Sequence, residues 1–370
     1  MDDEEEWPDG EHVDYRMDQQ NRRARIADVA REAGVSKSAV SFAFNSPDRL
    51  APDTALRIRE VAERLGYRPD PVARMLTQRQ TMALGILTPQ ALSVVFSNPF
   101  FGAFSEGVSL AAEQFDYGLH FISPIRGSLV GALNRATVDG VIAVGVSRHP
   151  EIEQIRHAGV PIVFVDSSVH PDHASVDADD VGGAQRAAEH VIALGHRDVL
   201  VLSVEPPMPG FAGPADVTAR RLLGYRRAFE AIDETIPDDR VLVGPATIAG
   251  GNAMVEQAWA AGLRPTAILS MSDAAAIGAM RALRELGLDV PGDVSVVGFD
   301  DIDLAPIVHP SLTTVHQPIR RKGEEAVHLL LSVIEQVGAP GPEHRVLRTR
   351  LIIRDSTGPV SPRHKEVAGD

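Results

Sequence analysis

Apolar residues along this chain follow two different rhythms, and the rhythm changes near residue 82. Before it the spacing is helical. Ile26, Val29 and Ala30 share one face of a first predicted helix, and Val40, Ala43 and Phe44 share a face of a second. Between them lies Ala33-Gly34-Val35-Ser36, where glycine allows a left-handed turn and Ser36 is suited to cap the second helix. A third pattern opens at Pro52 with Leu56, Ile58, Val61, Ala62 and Leu65, and closes at Gly66-Tyr67. Three such helices form a core of about fifty residues, which is marginal alone. Asp70 and Pro71 then offer an N-cap and a first helical residue for barely two turns ending near Leu76, too short to persist without a partner.

From Met82 onward short apolar runs alternate with amphipathic stretches. The predicted strands are Ala83–Leu87, Leu119–Ile122, Val141–Val144, Ile162–Val165, Val199–Val204, Ala267–Met271 and Val294–Phe299. Helical patterns fall at Phe104–Phe115, Gly183–Leu194, Arg220–Ile232, Ala274–Leu286 and Arg320–Ile334. Such alternation predicts parallel, doubly wound sheets, and the length suits two of them. Gly195, Gly287 and Gly298 read as structural, at helix ends and a tight strand exit.

Composition narrows the class. In 370 residues there is no cysteine, which excludes disulfides, zinc ribbons and thiol chemistry. No apolar run approaches membrane length and the first thirty residues lack a signal-peptide pattern, so neither membrane nor export is expected and the cytoplasm fits best. The net charge of −15 argues against a polyanionic partner only until it is mapped. Residues 1–20 carry nine acids and one arginine, whereas residues 22–80 carry twelve basic residues against seven acids. A basic module therefore follows an acidic leader, itself polar, unperiodic and expected to be disordered. The leader either competes with a polyanion for Arg22–Arg79 or serves only solubility.

A helix–glycine–helix corner is also common in cores, so Lys37, Ser38, Ser41, Phe42 and Asn45 on the second helix can be plain surface. As a helix-turn-helix, the same residues would face base edges. The order helix-turn-helix, third helix, "YRPDPVARML", then a long α/β body resembles the lac-repressor (LacI/GalR) family of bacterial transcription regulators. The resemblance runs from about Arg25 to Gly358. It implies the fold class: a three-helix helix-turn-helix domain with a hinge helix, then two Rossmann-like lobes of periplasmic-binding-protein type.

The implied domains are an acidic leader at 1–22, a DNA-binding domain at 23–69, hinge and linker at 70–80, a ligand-binding and dimerisation body at 81–358, and a tail at 359–370. Within the body the N-lobe takes about 82–181 and 316–338 and the C-lobe about 182–315 and 339–358, with the chain crossing three times. The segment Gly127–Thr137 is shorter than the family's usual connection, leaving one N-lobe helix or loop open.

The resemblance places Ser36, Lys37, Ser38, Ser41 and Asn45 at base or phosphate contacts, with lysine able to donate to guanine. Phe42 stands where the family often has arginine, so it either touches a thymine methyl or folds onto the module's own core. Arg25 replaces the usual capping threonine. In the hinge match, Ala73 and Arg74 precede Leu76, which either wedges into the central base step from the minor groove or is an ordinary linker residue.

Open α/β sheets bind ligands beyond the carboxyl ends of their strands. Those ends give Phe100 and Phe101, Ser147, Asp166, Asp273 and Asp300, and Arg221 matches the family's effector-contacting arginine. Convergent carboxylates and a guanidinium suit the hydroxyls of a sugar, the commonest effector class of the family. Plain alternatives remain: Asp166 and Asp273 as helix caps, Phe100 as core, Arg221 paired with a surface acid. "LTTVHQP" (312–318) fits the last crossover.

The expected partners are therefore pseudo-palindromic double-stranded operator DNA, a small-molecule effector and a second copy of the chain, with no cofactor and no metal. Acid runs at Asp177, Asp179 and Asp180 and at Asp300, Asp301 and Asp303 lack EF-hand spacing, and HExxH, GxSxG and GxxxxGK are absent, so no enzyme is expected. The rival classes are a regulator of the same fold without effector control and a solute-binding protein, which would have no use for residues 25–76. The tail has no leucine heptad to build a tetramer.

Overall fold

A computed structural model of the chain describes residues 24–45, 47–67, 80–124, 128–146, 151, 153–154, 159–167, 172–205, 217–335 and 343–361. The chain divides into two compact units, Met1–Gln80 and Thr81–Asp370.

In the first unit, α1 (Ile26–Ala33), α2 (Lys37–Asn45) and α3 (Pro52–Arg64) enclose Val29, Ala30, Val40, Ala43, Ile58, Val61 and Ala62. Gly34 takes φ 67° at the end of α1, where Val35 N–H reaches back to Ala30 O at 3.0 Å. Ser36 Oγ accepts from Ala39 N–H at 3.1 Å and starts α2. Arg25 lacks a capping oxygen, and Asp28 takes over by accepting from Arg25 N–H at 3.0 Å. Leu56, expected in the core, is 58% exposed, because Ala55 and Ile58 define the buried stripe of α3.

The second unit holds two six-stranded sheets. The N-lobe sheet comprises β1 (Ala83–Leu87), β2 (Gly118–Ile122), β3 (Gly140–Val144), β4 (Ile162–Val165), β5 (Ala174–Ala178) and β11 (His344–Leu347), in the order β11-β5-β4-β3-β1-β2, all parallel. Helices α4 (Leu92–Ser97), α5 (Pro99–Glu113) and α6 (Leu129–Leu133) belong to this lobe, α6 being the one short helix of the abbreviated segment. The C-lobe sheet comprises β6 (Val199–Val204), β7 (Val241–Gly244), β8 (Ala267–Ser270), β9 (Ser295–Asp300), β10 (Thr313–His316) and β12 (Arg350–Ile352), in the order β12-β10-β9-β8-β6-β7, with only β12 antiparallel. Its helices are α7 (Asp180–Ala193), α8 (Val217–Glu230), α9 (Ile248–Ala260) and α10 (Asp273–Glu285); α11 (Ile319–Glu335) returns to the N-lobe core.

The chain crosses between lobes after β5, after β10 and after β11. The third crossing corrects the lobe boundary expected from the sequence: residues 344–347 pair with β5 and belong to the N-lobe, and the switch comes at Arg348-Thr349. Thr349 Oγ1 donates to Asp179 O at 2.9 Å, tying the first crossing to the third.

Glycines let the main helix pairs touch backbone to backbone. A Cβ on Gly107 of α5 would collide with Arg320 O of α11, and one on Gly323 with Phe104 O. The α9–α10 crossing repeats this at Gly251 and Gly278, and Gly224 of α8 lies against Val181 O of α7. At Gly298 the obstruction is a side chain, the Asp273 carboxylate, so this glycine marks close packing within β9.

Candidate functional site

Two regions carry candidate chemistry. On the first unit, α2 turns Lys37 and Ser38 to solvent and leaves Ser41 and Phe42 half-buried, with Ser36 at its start. Phe42 lies outside the head's core, whereas Phe44 packs into it with its ring 5.9 Å from Tyr67. Arg49, from the 3-10 turn Pro47–Arg49, places its guanidinium carbon 5.4 Å from the Phe42 ring centre. Of the other expected residues, Asn45 ends α2 but its side chain is outside the described residues, as are Ala73, Arg74 and Leu76 altogether.

In the second unit, a cavity of about 150 Å³ opens at the carboxyl ends of the strands, its wall drawn from both lobes. Phe100, Phe101, Asp166, Arg221 and Asp300 line it, bringing together five of the seven expected cleft residues. Ser147 falls outside the described residues. Asp273 is a correction. It is fully buried and off the cavity wall, where Oδ2 accepts from Ile302 N–H at 2.9 Å and Oδ1 from Thr314 Oγ1 at 2.5 Å. Its carboxylate is a tether for the turn after β9 and for β10, neither ligand group nor helix cap.

Beneath the cavity the side chains form one polar chain through both lobes. Lys322 Nζ, with no exposed surface, donates to both oxygens of Asp166 at 2.7 and 2.8 Å and to Gln317 Oε1 at 2.6 Å. Gln317 Nε2 in turn donates to Asp300 Oδ1 at 2.6 Å. Arg221 Nη1 lies 3.8 Å from Asp300 and donates to Met271 O, while its Nε donates to Asp180 at 2.9 Å and its plane covers the Phe299 ring at 3.7 Å. Arg220 also binds Asp180, at 2.8 Å, and lies 3.6 Å from Asp177 in the N-lobe sheet. The alternatives of a surface ion pair for Arg221 and a cap for Asp166 are thus replaced by buried partners.

Burial governs the acids, and neighbouring charges then separate them. Burial pushes Asp177 up to about 6, helped by the negative charge of Asp166 and opposed by Arg220. Burial also raises Asp300 against the pull of Arg221, and raises Asp273 with further help from Asp300. Asp180 goes the other way, since Arg221 and Arg220 outweigh its burial and hold it below the ordinary carboxylate range. Asp166, Asp300 and the adjacent Asp301 adopt positive φ of 51°, 129° and 60°, a strained backbone that side chains avoid unless the surroundings enforce it.

Sequence reasoning missed Gln90, Glu205, Thr218 and Gln317 on the wall, and Lys322 and Asp180 behind it. Gln90 follows β1, so the strand-end rule reached its place without selecting it. Apart from Asp300 on the cavity wall, the two acid runs serve structure: Asp179 caps α7 through Gly182 N–H at 2.9 Å, Asp301 holds His316 and Arg354, and Asp303 meets Arg320. Among the described residues no acid–histidine group is arranged to hold a metal ion.

Comparison with known proteins accounts for both regions. Residues 25–70 match the family model of bacterial regulatory proteins of the lacI family, and residues 188–357 match that of a periplasmic binding protein-like domain. The HTH-type transcriptional regulator CelR of Thermobifida fusca is 31% identical over 350 residues, covering 91% of this chain and 99% of that protein. The structure of a CelR–cellobiose complex aligns with TM-score 0.67 and 28% identity over 90% of this chain and 100% of the other. That of the lac repressor dimer bound to operator and the anti-inducer ONPF aligns with TM-score 0.75 and 25% identity over 91% and 100%. These relatives are transcription regulators rather than enzymes. The chain accordingly belongs to the LacI family of DNA-binding bacterial transcription regulators.

Proposed function

We propose that the protein is a cytoplasmic, homodimeric repressor whose grip on a pseudo-palindromic operator is set by a sugar bound between the two lobes. The observation that carries this reading is the cavity walled by both lobes and underlain by the chain Asp166–Lys322–Gln317–Asp300. A ligand seated there contacts groups of both lobes at once, so its affinity differs between lobe arrangements, which is the requirement for shifting an equilibrium. Phe100 and Phe101 offer apolar faces, and Arg221, Asp300 and Gln317 offer hydroxyl partners, a combination suited to carbohydrate. The cellobiose held by CelR in its complex makes that disaccharide the first ligand to try.

On this reading Ser36, Lys37, Ser38, Ser41, Phe42 and Asn45 meet the major groove of one half-site, and Ala73, Arg74 and Leu76 meet the minor groove between half-sites. Lys37 supplies charge to guanine or phosphate, and the serines supply adaptable hydroxyls.

The test joins two measurements on the full chain. Operator sites are first selected from random-sequence DNA, and thermal unfolding is then followed with cellobiose, other neutral sugars and purines. A ligand at one hundred times its Kd should stabilise the fold by about 2.7 kcal/mol and change operator affinity. A ligand that stabilises without altering DNA binding would leave a DNA-binding dimer lacking effector control. Absence of any sequence preference would overturn the reading.

A further inference from the structure

Among its described side chains, the outward face of α2 offers a point charge at Lys37 and hydroxyls at Ser36, Ser38 and Ser41, but no planar fork of donors. It also carries a half-buried aromatic ring, Phe42, that the head's core does not use. Arg49 fills the gap. The 3-10 turn after α2 brings its guanidinium carbon to 5.4 Å from the centre of that ring. The base of this arrangement is firm: Leu50 N–H closes the turn onto Pro47 O at 3.0 Å, and Arg59 holds Ala43 O of α2 through Nε and Nη2 at 3.3 and 3.2 Å.

Three other arginines of the head are committed. Arg31 pairs with Asp28 at 2.8 Å and Arg64 with Glu32 at 2.9 Å, while Arg59 serves the backbone. Among the described residues Arg49 meets only the Phe42 ring. A ring attracts a cation through its face and orients the guanidinium without consuming an N–H, so all five donors stay available. A fork of that shape pairs with guanine O6 and N7.

We propose that Arg49, oriented by Phe42, reads a guanine in each half-site of the operator. Arg49 is the specificity-determining group and Phe42 its positioning residue. The inference rests on the placement of α2 in the major groove proposed above, and the experiment separates the two.

Binding sites are selected from random-sequence DNA with the full-length wild type and with Arg49→Ala, Phe42→Leu, Phe42→Trp and Lys37→Ala. Affinities for the selected site and its single-base variants are then measured across salt concentrations. The wild type should prefer guanine at a position that Arg49→Ala ceases to discriminate, with the preference falling about 5- to 150-fold and other positions unchanged. Phe42→Leu should lose the same preference and Phe42→Trp should keep it, which a merely structural ring would not do. Arg49 is exposed, so its alanine variant keeps the proposal testable even where a Phe42 variant fails to fold.

Uniform weakening of all sequences by Arg49→Ala, with a salt slope reduced by about one, would assign a phosphate contact and overturn the proposal. Unchanged discrimination would overturn it as well. If Lys37→Ala leaves both affinity and selected sequence intact, the failure lies in the groove placement of α2.

Discussion

Lys322 Nζ grips both carboxylate oxygens of Asp166, at 2.7 and 2.8 Å, from a position with no solvent exposure. A buried pair of this kind is weak evidence for net stabilisation, but removing one partner strands the other charge. Lys322→Met should therefore lower unfolding free energy by about 3–5 kcal/mol in urea titration. The double variant Asp166→Leu/Lys322→Met should recover much of that loss. A lysine variant as stable as the wild type would show that Asp166 has another counter-charge.

Gly298 and Asp273 meet within the C-lobe, where a Cβ would run into the Asp273 carboxylate and, at 2.9 Å, into Leu312 Cδ2. Overpacking at a site closed on two sides should make Gly298→Ala destabilising by about 1–3 kcal/mol. Because Asp273 holds the turn that follows Asp300, the same variant should also weaken cleft ligands. Calorimetric unfolding and ligand titration on one preparation measure both effects.

Stability should depend on pH in the direction set by Asp177. Its folded value of about 6 lies above the 3.8 of an ordinary aspartate, so the folded state holds the proton more tightly than the unfolded chain. That contribution is complete below about pH 4 and disappears as pH rises through 6. Raised Asp273 and Asp300 add the same sign, whereas the lowered Asp180 opposes it. Asp177→Asn should flatten the fall in melting temperature between pH 4 and 6 and raise it at pH 8. An unchanged profile would remove Asp177 from the account.

Gln90 offers a contrasting case. Its Oε1 is buried on the cavity wall with no hydrogen-bond partner among the described residues. An unmet acceptor costs about 1–3 kcal/mol, so Gln90→Met should preserve or increase the melting temperature. A ligand hydroxyl that donates to this oxygen would bind at least tenfold more weakly to the variant. Equal ligand affinity would place the bound molecule away from β1.

What could be read from the sequence follows a physical division. Strands buried on both faces announce themselves as apolar runs, so β1, β3, β4, β6 and β8 stood out. β5 reads Ala174-Ser175-Val176-Asp177-Ala178, with small and acidic residues that conceal its burial. β11 is an edge strand whose Val346 is 62% exposed, so no apolar run marked it and its lobe was misassigned. Helix α9 was hidden by Gly250-Gly251, which resemble a break but are the helix's closest contacts.

The cleft was legible to the extent that it obeys a fold-level rule about strand ends. Phe100, Phe101, Asp166, Arg221 and Asp300 sit where that rule puts ligand groups. Asp273 obeys the same rule by position, yet its side chain turns inward toward Thr314, a choice made by packing rather than by sequence. Lys322 lies one helical turn after a crossover, in a stretch that reads as an ordinary amphipathic helix. Only the folded arrangement shows that its charge is enclosed.

The glycine crossings carry a mechanical consequence. Where two helices meet without an intervening layer of side chains, they cannot slide by exchanging rotamers, and each pair behaves as a welded beam. Strain entering a lobe is then delivered to its ends, at Ala178-Asp179, Gln317-Pro318 and Arg348-Thr349, where the polypeptide passes from one beam assembly to the other. Evolution can refit the walls of the chamber for a different ligand while these three joints continue to bear the load.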